Sequence, residues 1–191
     1  MMKYFRPIIL VSLLLLLCAP LQVSAQQHLK FMGIPLTGSI DNFQRKLAAK
    51  GIQPDREFNR MMPFGSRCFK GRFTGKNCTF HAYYTDNKTV YRAKAVYSNE
   101  DEGLADQFYE EIKAMLLKKY EGGRLLEFTH EGYDACSIMA LAADGETVLG
   151  SIDLYKTRHG RYSLEYNYAI HVDYTDYINS NAKENEKMDD L

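Results

Sequence analysis

The stretch Asn99–Tyr120, NEDEGLADQFYEEIKAMLLKKY, is the longest helical pattern in the chain and separates two runs of strand-like sequence. Its apolar positions recur at three- and four-residue steps, as on one face of a helix. That face comprises Ala105, Phe108, Ile112, Met115, Leu116 and Lys119. Asn99 is a good N-cap with Glu102 three residues later, and Gly122 supplies a stop signal. We therefore predict a helix that packs against a sheet.

Alternation of apolar and polar residues predicts a β-hairpin before this helix. The two strands flank a turn over 74–77, and we predict that Phe73 faces Cys78. In that register the apolar residues of both strands share one side, namely Phe69, Gly71, Phe73, Cys78, Phe80, Ala82 and Tyr84. A third strand over 89–97 alternates in the same way, with Arg92 and Lys94 on its polar side.

Shorter elements precede the hairpin. Residues 29–36 predict a leading strand, and Ser39 is a good N-cap for a first helix that ends near Gly51. Residues 53–66 contain prolines and glycines without a period, which predicts a loop with a short strand around Met61 and Met62.

Four further strand patterns follow the central helix, over 124–128, 133–142, 148–155 and 162–170. A turn at His159-Gly160 joins the last two, and Tyr162, Leu164, Tyr166, Tyr168 and Ile170 are assigned to the core. From Thr175 onward the chain is rich in Asn, Lys, Glu and Asp, which predicts a frayed polar tail over 175–191.

A helix followed by strands occurs twice, from Ser39 to Tyr97 and from Asn99 to Tyr168. We therefore predict a single α+β domain over 26–174, with two layers and two helices on one face of an antiparallel sheet. One interpretation is a duplicated helix-plus-strands unit, and two unrelated halves are the other. The pattern provides no cover for the second face of the sheet.

Residues 1–25 have the pattern of a signal peptide. Lys3 and Arg6 precede an apolar run with the length of an h-region, and Val23-Ser24-Ala25 offers small residues for cleavage. The chain is therefore expected to be exported to the periplasm or the extracellular space.

Cys18 raises the alternative of a lipoprotein anchor. Leu17 argues against it, because the residue before a lipidated cysteine is normally small. No later segment approaches the roughly 20 apolar residues that a transmembrane helix requires, so no membrane-spanning segment is expected.

After removal of residues 1–25, the chain has 22 basic and 24 acidic residues, which gives no basis for a nucleic-acid partner bound through bulk charge. Three cysteines remain, so at least one is unpaired. Cys68 and Cys78 fall on opposite faces of the predicted hairpin, which makes Cys136 the better disulfide partner for either. Three small buried thiols are the alternative.

No pattern indicates an enzyme of a recognised class. Cys136 with His130, or Cys68 with His81, are the cysteine and histidine pairs from which a nucleophile could be built. Neither pair lies in a known signature, and the Gly-x-Ser-x-Gly pattern of serine hydrolases is absent.

No metal or cofactor is expected either. The tightest spacing of a histidine and a carboxylate is His171-x-Asp173, and two ligands do not make a metal site. Asn77-Cys78-Thr79 and Asn87-Lys88-Thr89 match the N-glycosylation triplet by pattern alone.

The polar side of the first hairpin and its neighbouring strand carries the candidate site. Its residues are Lys70, Arg72, His81, Tyr83, Arg92 and Lys94. The corresponding positions of the second half include Ser151, Asp153, Tyr155, Glu165 and Asn167, so the sheet is expected to be basic at one end and acidic at the other. The functional interpretation is a face that binds an anionic ligand or a protein, and the alternative is an ordinary solvated sheet face.

Three segments resemble small secreted proteins of unknown function from Bacteroidetes. They are the segment from Phe31 to Ile40, the turn Phe73-Thr74-Gly75, and the C-terminal segment from Asp176 to Leu191. The resemblance implies a bacterial, exported protein and names no site. The repeated helix-plus-sheet layout is also similar to that of the β-lactamase inhibitor protein, whose tandem repeat binds enzymes through its sheet.

These observations favour an exported, non-enzymatic binding module that holds an unknown protein or an anionic small molecule on the open sheet face. A small secreted hydrolase with dispersed catalytic residues is the alternative from a different class. An inhibitor of a secreted enzyme would differ from the first hypothesis only in its partner.

Overall fold

A computed structural model describes residues 27–160 and 166–189. The expected signal peptide lies outside these residues, as do Tyr162, Leu164 and Glu165. Within them, four helices accompany strands that pair only in antiparallel fashion, so the predicted α+β class with an antiparallel sheet is confirmed. The helices of this part of the chain are too short or too polar to span a bilayer.

The elements have the following bounds. The strands are β1 (Lys30–Phe31), β2 (Ile34–Pro35), β3 (Gln53–Pro54), β4 (Ser66–Phe73), β5 (Lys76–Tyr84), β6 (Val90–Asn99), β7 (Arg124–His130), β8 (Tyr133–Leu141), β9 (Val148–Gly160) and β10 (Tyr166–Asp176). The helices are α1 (Ile40–Ala48), α2 (Arg56–Asn59), α3 (Glu102–Lys119) and α4 (Tyr177–Asp189).

Eight strands form one sheet in the order β3-β4-β5-β6-β10-β9-β8-β7, and β1 and β2 pair separately. Each half of the chain is a meander that runs from an outer strand to the centre. The last strands of the two halves, β6 and β10, pair with each other from Asn99 opposite Tyr168 to Arg92 opposite Thr175. The middle of the sheet is therefore the junction between the halves.

One face of the sheet, called here the core face, is buried against helices. Across six neighbouring strands, the residues of one cross-strand row are at most 1% exposed; they are Phe69, Phe80, Ala95, Val172, Leu154 and Cys136. Buried residues of α1 and α3, such as Phe43 and Phe108, belong to the same apolar cluster. The predicted alternation thus assigns the correct side of β4, β5, β6 and the described part of β10 to the core.

Helix α3 begins two residues later than predicted. Asn99 is the last residue of β6, and its side-chain oxygen accepts a hydrogen bond from the backbone N–H of Asp101. Asp101 is the N-cap and accepts from the N–H of Leu104 at 2.9 Å. The predicted cap at Asn99 is therefore wrong, because a second capping residue lies two positions further on.

The inner face of α3 also differs from the prediction. Met115 and Lys119 were expected on it but are exposed, whereas Tyr109 is buried. Lys156 of β9 helps to hold the helix, since its buried ammonium group contacts the carboxylates of Glu102 and Asp106. A buried ammonium group needs carboxylate partners, and Glu102 and Asp106 reach Lys156 only when α3 lies over β9.

The first elements are shorter than predicted. Met32 and Gly33 adopt positive φ angles of 50° and 79°, so residues 29–36 fold into a two-stranded hairpin instead of one strand. Ser39 caps α1 as predicted. The strand expected around Met61 and Met62 is wrong, because that loop contains β3 and the single-turn helix α2 instead.

The β4–β5 hairpin has a tighter turn than predicted. Thr74 and Gly75 adopt φ angles of 46° and 83°, which forms a two-residue turn and pairs Phe73 with Lys76. Cys78 therefore lies opposite Gly71, two residues from the predicted register. A shift of two residues keeps every side chain on its predicted face.

All three described cysteines are free and buried. Cys68 lies on the face opposite the core face, as its pairing with His81 shows, whereas Cys78 and Cys136 lie on the core face. The disulfide that we considered between Cys136 and either of the others is therefore not formed.

The C-terminal segment is a helix, in contrast to the frayed extension expected from its composition. Strand β10 continues to Asp176, whose fully buried carboxylate accepts the N–H of Leu29 at 2.8 Å and that of Asn179 at 3.0 Å. The Asn179 side chain donates to the carbonyl of Leu36 at 2.7 Å. These contacts connect the start of α4 to the β1–β2 hairpin.

Gly150 provides a test of the β9–β10 pairing. A Cβ atom added there would overlap the carbonyl oxygen of Thr175, and backbone atoms cannot rotate away. We expect Gly150→Ala to lower the free energy of unfolding by about 2–3 kcal/mol, as measured by urea denaturation. Gly103→Ala on α3 is the control, since an added Cβ there meets a side-chain oxygen of Asp101 at 3.3 Å instead of backbone, and alanine in a helix is worth about 0.5–1 kcal/mol over glycine. Equal stability of the two variants would contradict the close approach.

Candidate functional site

The six predicted residues share the face opposite the core face. Strand pairing places His81 opposite Lys94 and Tyr83 opposite Arg92. The same face continues across the second half through Ser151, Asp153, Tyr155, His171 and Asp173. We call this set, together with Lys70 and Arg72, the polar face.

Lys70 and Arg72 lie at one margin of the polar face and have local partners. The ammonium group of Lys70 is 2.7 Å from the carboxylate of Asp55, which also caps α2. The guanidinium of Arg72 donates two hydrogen bonds to the carbonyl of Gly75 within its own turn. A shallow depression of about 510 Å³ lies beside them, with walls that include Asn77, Thr79, Val96 and Ser98.

Arg92 is at the centre of the sheet and forms a bidentate ion pair with Asp173. Its Nε donates to one carboxylate oxygen at 2.8 Å, and Nη2 donates to the other. Asp173 is 2% exposed, and the guanidinium also lies 5.0 Å from the ring centre of Tyr83. The hydrogen bond to Asp173 raises the pKa of Arg92. The pair therefore joins β6 to β10 across the junction of the two halves.

Tyr155 is the centre of an aromatic group beside this ion pair. Its ring is stacked on that of His171, with centroids 4.6 Å apart and planes 9° apart. The ring of His130 approaches its edge at 4.6 Å, and the Lys94 ammonium donates to its hydroxyl at 3.3 Å. Burial raises the pKa of Tyr155 to about 12 and lowers that of Lys94. The group is thus positioned before any ligand binds.

Two histidines of the polar face are neutral at pH 7. Burial is the main cause that lowers the pKa of His171, to about 3, and that of His81. Nε2 of His171 is 2.8 Å from the hydroxyl of Thr157, which in turn lies 3.0 Å from Nε2 of His159. The Nδ1 atoms of His171 and His81 are buried without a hydrogen-bond partner among the described residues.

One margin of the polar face is partly covered, which differs from the open face predicted. The ring of Phe58 on α2 lies edge-on to His81, with centroids 6.2 Å apart. Asn59 exchanges two hydrogen bonds with the backbone of Cys68 on the adjacent strand. The centre of the face, around Tyr83 and Arg92, stays half-buried rather than fully exposed.

The cysteines do not have the character of nucleophiles. Cys68 lies opposite His81 on the sheet but is fully buried, and burial raises the pKa of its thiol to about 11. Burial likewise raises the pKa of Cys136, which faces the core, whereas His130 contacts Tyr155 on the polar face. A reactive cysteine needs a lowered thiol pKa and access to substrate, so neither pair has the required arrangement.

His171 and Asp173 share the polar face, as their spacing predicts, but Asp173 is occupied by Arg92. Among residues 27–160 and 166–189, no three His, Cys, Asp or Glu side chains are arranged to hold a metal ion.

Asp173 is the main residue of the site that is absent from the six predicted binding residues. The predicted last strand ended near Ile170, so Asp173 was considered only as a metal ligand. The signal was present, since Val172 and Tyr174 continue the alternation of β10 around it. Its partner Arg92 is 81 residues away in the chain, and no local pattern reveals such a pair.

Comparison with known proteins adds no relative, since no family model, curated protein or solved structure matches the chain.

The Arg92–Asp173 pair can be tested by removal of the arginine. We expect Arg92→Ala to lower the free energy of unfolding by about 2–4 kcal/mol, because a buried carboxylate loses its partner. Arg72→Ala on the same face is the matched control and should cost less than about 0.5 kcal/mol. Urea denaturation measures both. A loss at Arg92 no larger than that at Arg72 would contradict the structural role of the pair.

His171 should make stability depend on pH. Its folded pKa lies below that of the unfolded chain, so stability is fully present above about pH 6.5 and is lost as the pH falls toward 3. The variant His171→Phe keeps a ring against Tyr155. Between pH 7 and 5.5, we expect its free energy of unfolding to fall by about 1 kcal/mol less than that of the native protein. His81 is unchanged in the variant, so its titration cancels in the comparison. Parallel pH profiles would refute the assignment.

Proposed function

We propose that the chain is an exported, non-enzymatic binding module that holds a protein partner on the polar face. The observation that carries this proposal is the group of half-buried side chains Tyr83, Arg92, Lys94 and Tyr155. The buried carboxylate of Asp173 holds Arg92, and so the group, in position. Tyrosine and arginine dominate the energetics of protein interfaces. Side chains that are already ordered lose little entropy when a partner binds.

The charges of the face favour a protein over an anionic small molecule. Lys70 and Arg92, two of the four predicted cations, already have carboxylate partners in Asp55 and Asp173. What remains at the centre is a mixture of aromatic, neutral imidazole and single cationic groups. That composition fits the contact surface of a protein better than a dedicated anion site.

The arrangement of the two halves is part of the proposal. We infer a two-layer domain that arose by duplication, because α1 and α3 each precede a four-stranded meander and the final strands β6 and β10 pair at the centre. In such a domain the helices would occupy one face and leave the other to the partner. This layout also makes an inhibitor of a secreted enzyme the second candidate, distinguished from the first only by its partner.

The remaining assignments have different support. Export is proposed from the signal-peptide pattern of residues 1–25. The hydrolase alternative has less support, because the cysteine thiols have raised pKa values and lie within the packed strands.

The test is capture by the immobilised protein from extracts of the source organism, followed by binding measurements on the partner identified. We expect Tyr83→Ala and Lys94→Gln each to weaken binding about tenfold or more, as central interface residues do. Charge reversal at Arg92 is unsuitable, because it would place a second carboxylate against Asp173 and disturb the fold.

Met115→Gln is the control, since Met115 is exposed on α3 and not on the polar face. Its binding should equal that of the native protein. A partner that binds the Tyr83 and Lys94 variants as tightly as the native protein would assign the interaction to another surface.

A further inference from the structure

The two edges of the eight-stranded sheet are protected very differently. Strand β3 forms one edge with two residues, one of which is Pro54, and a short edge with a proline resists pairing with other chains. Strand β7 forms the other edge with seven residues and contains neither proline nor lysine. Six of its residues are exposed, and the seventh, His130, is partly so.

The exposed side chains of β7 are unusually apolar. Leu125, Leu126 and Phe128 are 40%, 52% and 45% exposed. Leu126 and Phe128 lie on the same side of the sheet as the polar face but at its far edge, opposite Ser137 and Ala135 of β8, and Leu125 lies on the core face. A long edge with three such side chains is the kind of strand that adds a further strand from another chain.

The β7–β8 hairpin determines which backbone groups point outward. Glu131 and Gly132 have φ angles of 50° and 83°, so a two-residue turn makes His130 and Tyr133 a hydrogen-bonded pair. Hydrogen-bonded and non-bonded pairs then alternate along the ladder. Leu125, Glu127 and Thr129 therefore direct their N–H and C=O groups away from β8, toward the free edge.

We propose that β7 is a homodimerisation edge, at which β7 of a second copy pairs in antiparallel register about a two-fold axis through Glu127. In that register Leu125 lies opposite Thr129 of the second copy, and Glu127 lies opposite Glu127. All three outward residues of each copy thus enter hydrogen-bonded pairs, and each pair contributes two backbone hydrogen bonds. A shift by two residues in either direction would lose one of these pairs.

The side chains of β7 are complementary to themselves in this register. On the polar face, Leu126 meets Phe128 of the second copy at two symmetric positions, which buries the most exposed apolar groups of the strand. On the core face the two Glu127 carboxylates would repel each other if they were alone. Each already has the ammonium group of Lys113 at 2.7 Å, so the axis carries two neutralised pairs. This self-complementarity identifies the occupant as a second copy.

Sedimentation of the purified protein tests the proposal, together with a variant that removes one outward donor. Thr129→Pro deletes an N–H that makes no bond within the hairpin, and proline is tolerated on an edge strand. We expect a dimer for the native protein and at least a tenfold larger dissociation constant for Thr129→Pro. Thr129→Val, which keeps the N–H and the shape, should remain dimeric.

Leu126→Lys provides a second variant, because the side chain is half exposed in a single chain and its replacement leaves the backbone unchanged. It too should dissociate the dimer, while hydrogen exchange at the Glu127 and Thr129 amides should slow as the native protein is concentrated. A native protein that stays monomeric at about 100 μM, or a dimer that survives both Thr129→Pro and Leu126→Lys, overturns the proposal. Neither result bears on partner capture by the polar face, so the two proposals fail separately.

Discussion

The pairing of β6 with β10 is the constraint on which the rest of the structure depends. Both strands lie inside the sheet, and each is the last strand of its half. The Arg92–Asp173 ion pair crosses this seam and fixes its register, because a slip of one residue would turn Asp173 into the core. A bidentate guanidinium compensates the desolvation of a buried carboxylate better than any other side chain.

The same interaction organises the polar face. Asp173 orients Arg92, Arg92 lies against Tyr83, and Tyr155 and His171 stack on the adjacent strands. Neutral imidazoles with unpartnered nitrogens weaken a fold slightly. The large aromatic side chains of Tyr83 and Tyr155 are half-buried on the same face.

Much of the architecture could be predicted from the sequence, because alternation and helical periodicity are local properties. The strand faces around Phe80, the cap at Ser39 and the class of the domain follow from residues within a few positions of one another. Turn geometry at Thr74-Gly75 and the start of α3 depended on a choice between neighbouring residues of similar propensity. The six candidate residues were placed on one face for the same local reason.

The remaining features could not be predicted, since they arise from contacts between distant parts of the chain. Arg92 lies next to Asp173 only after the halves have joined, and Phe58 reaches His81 from a helix of one turn. The polar composition after Thr175 gives no sign of α4, which is stabilised by Asp176 and by contacts of Asn179 with the β1–β2 hairpin. The composition of a segment indicates whether it has enough apolar residues to fold by itself. It does not indicate whether the rest of the protein provides contacts that order it.

The central position of β10 also determines when the protein can fold. The strand that completes the sheet is the last of the described strands, and the carboxylate of its Asp176 accepts a hydrogen bond from the N–H of Leu29, 147 residues earlier. Until that part of the chain has been synthesised, β6 and β9 each lack a neighbouring strand. The β1–β2 hairpin likewise lacks its contact with Asp176. Contacts between such distant residues make folding slow. The native sheet can therefore form only once the chain has been made through β10.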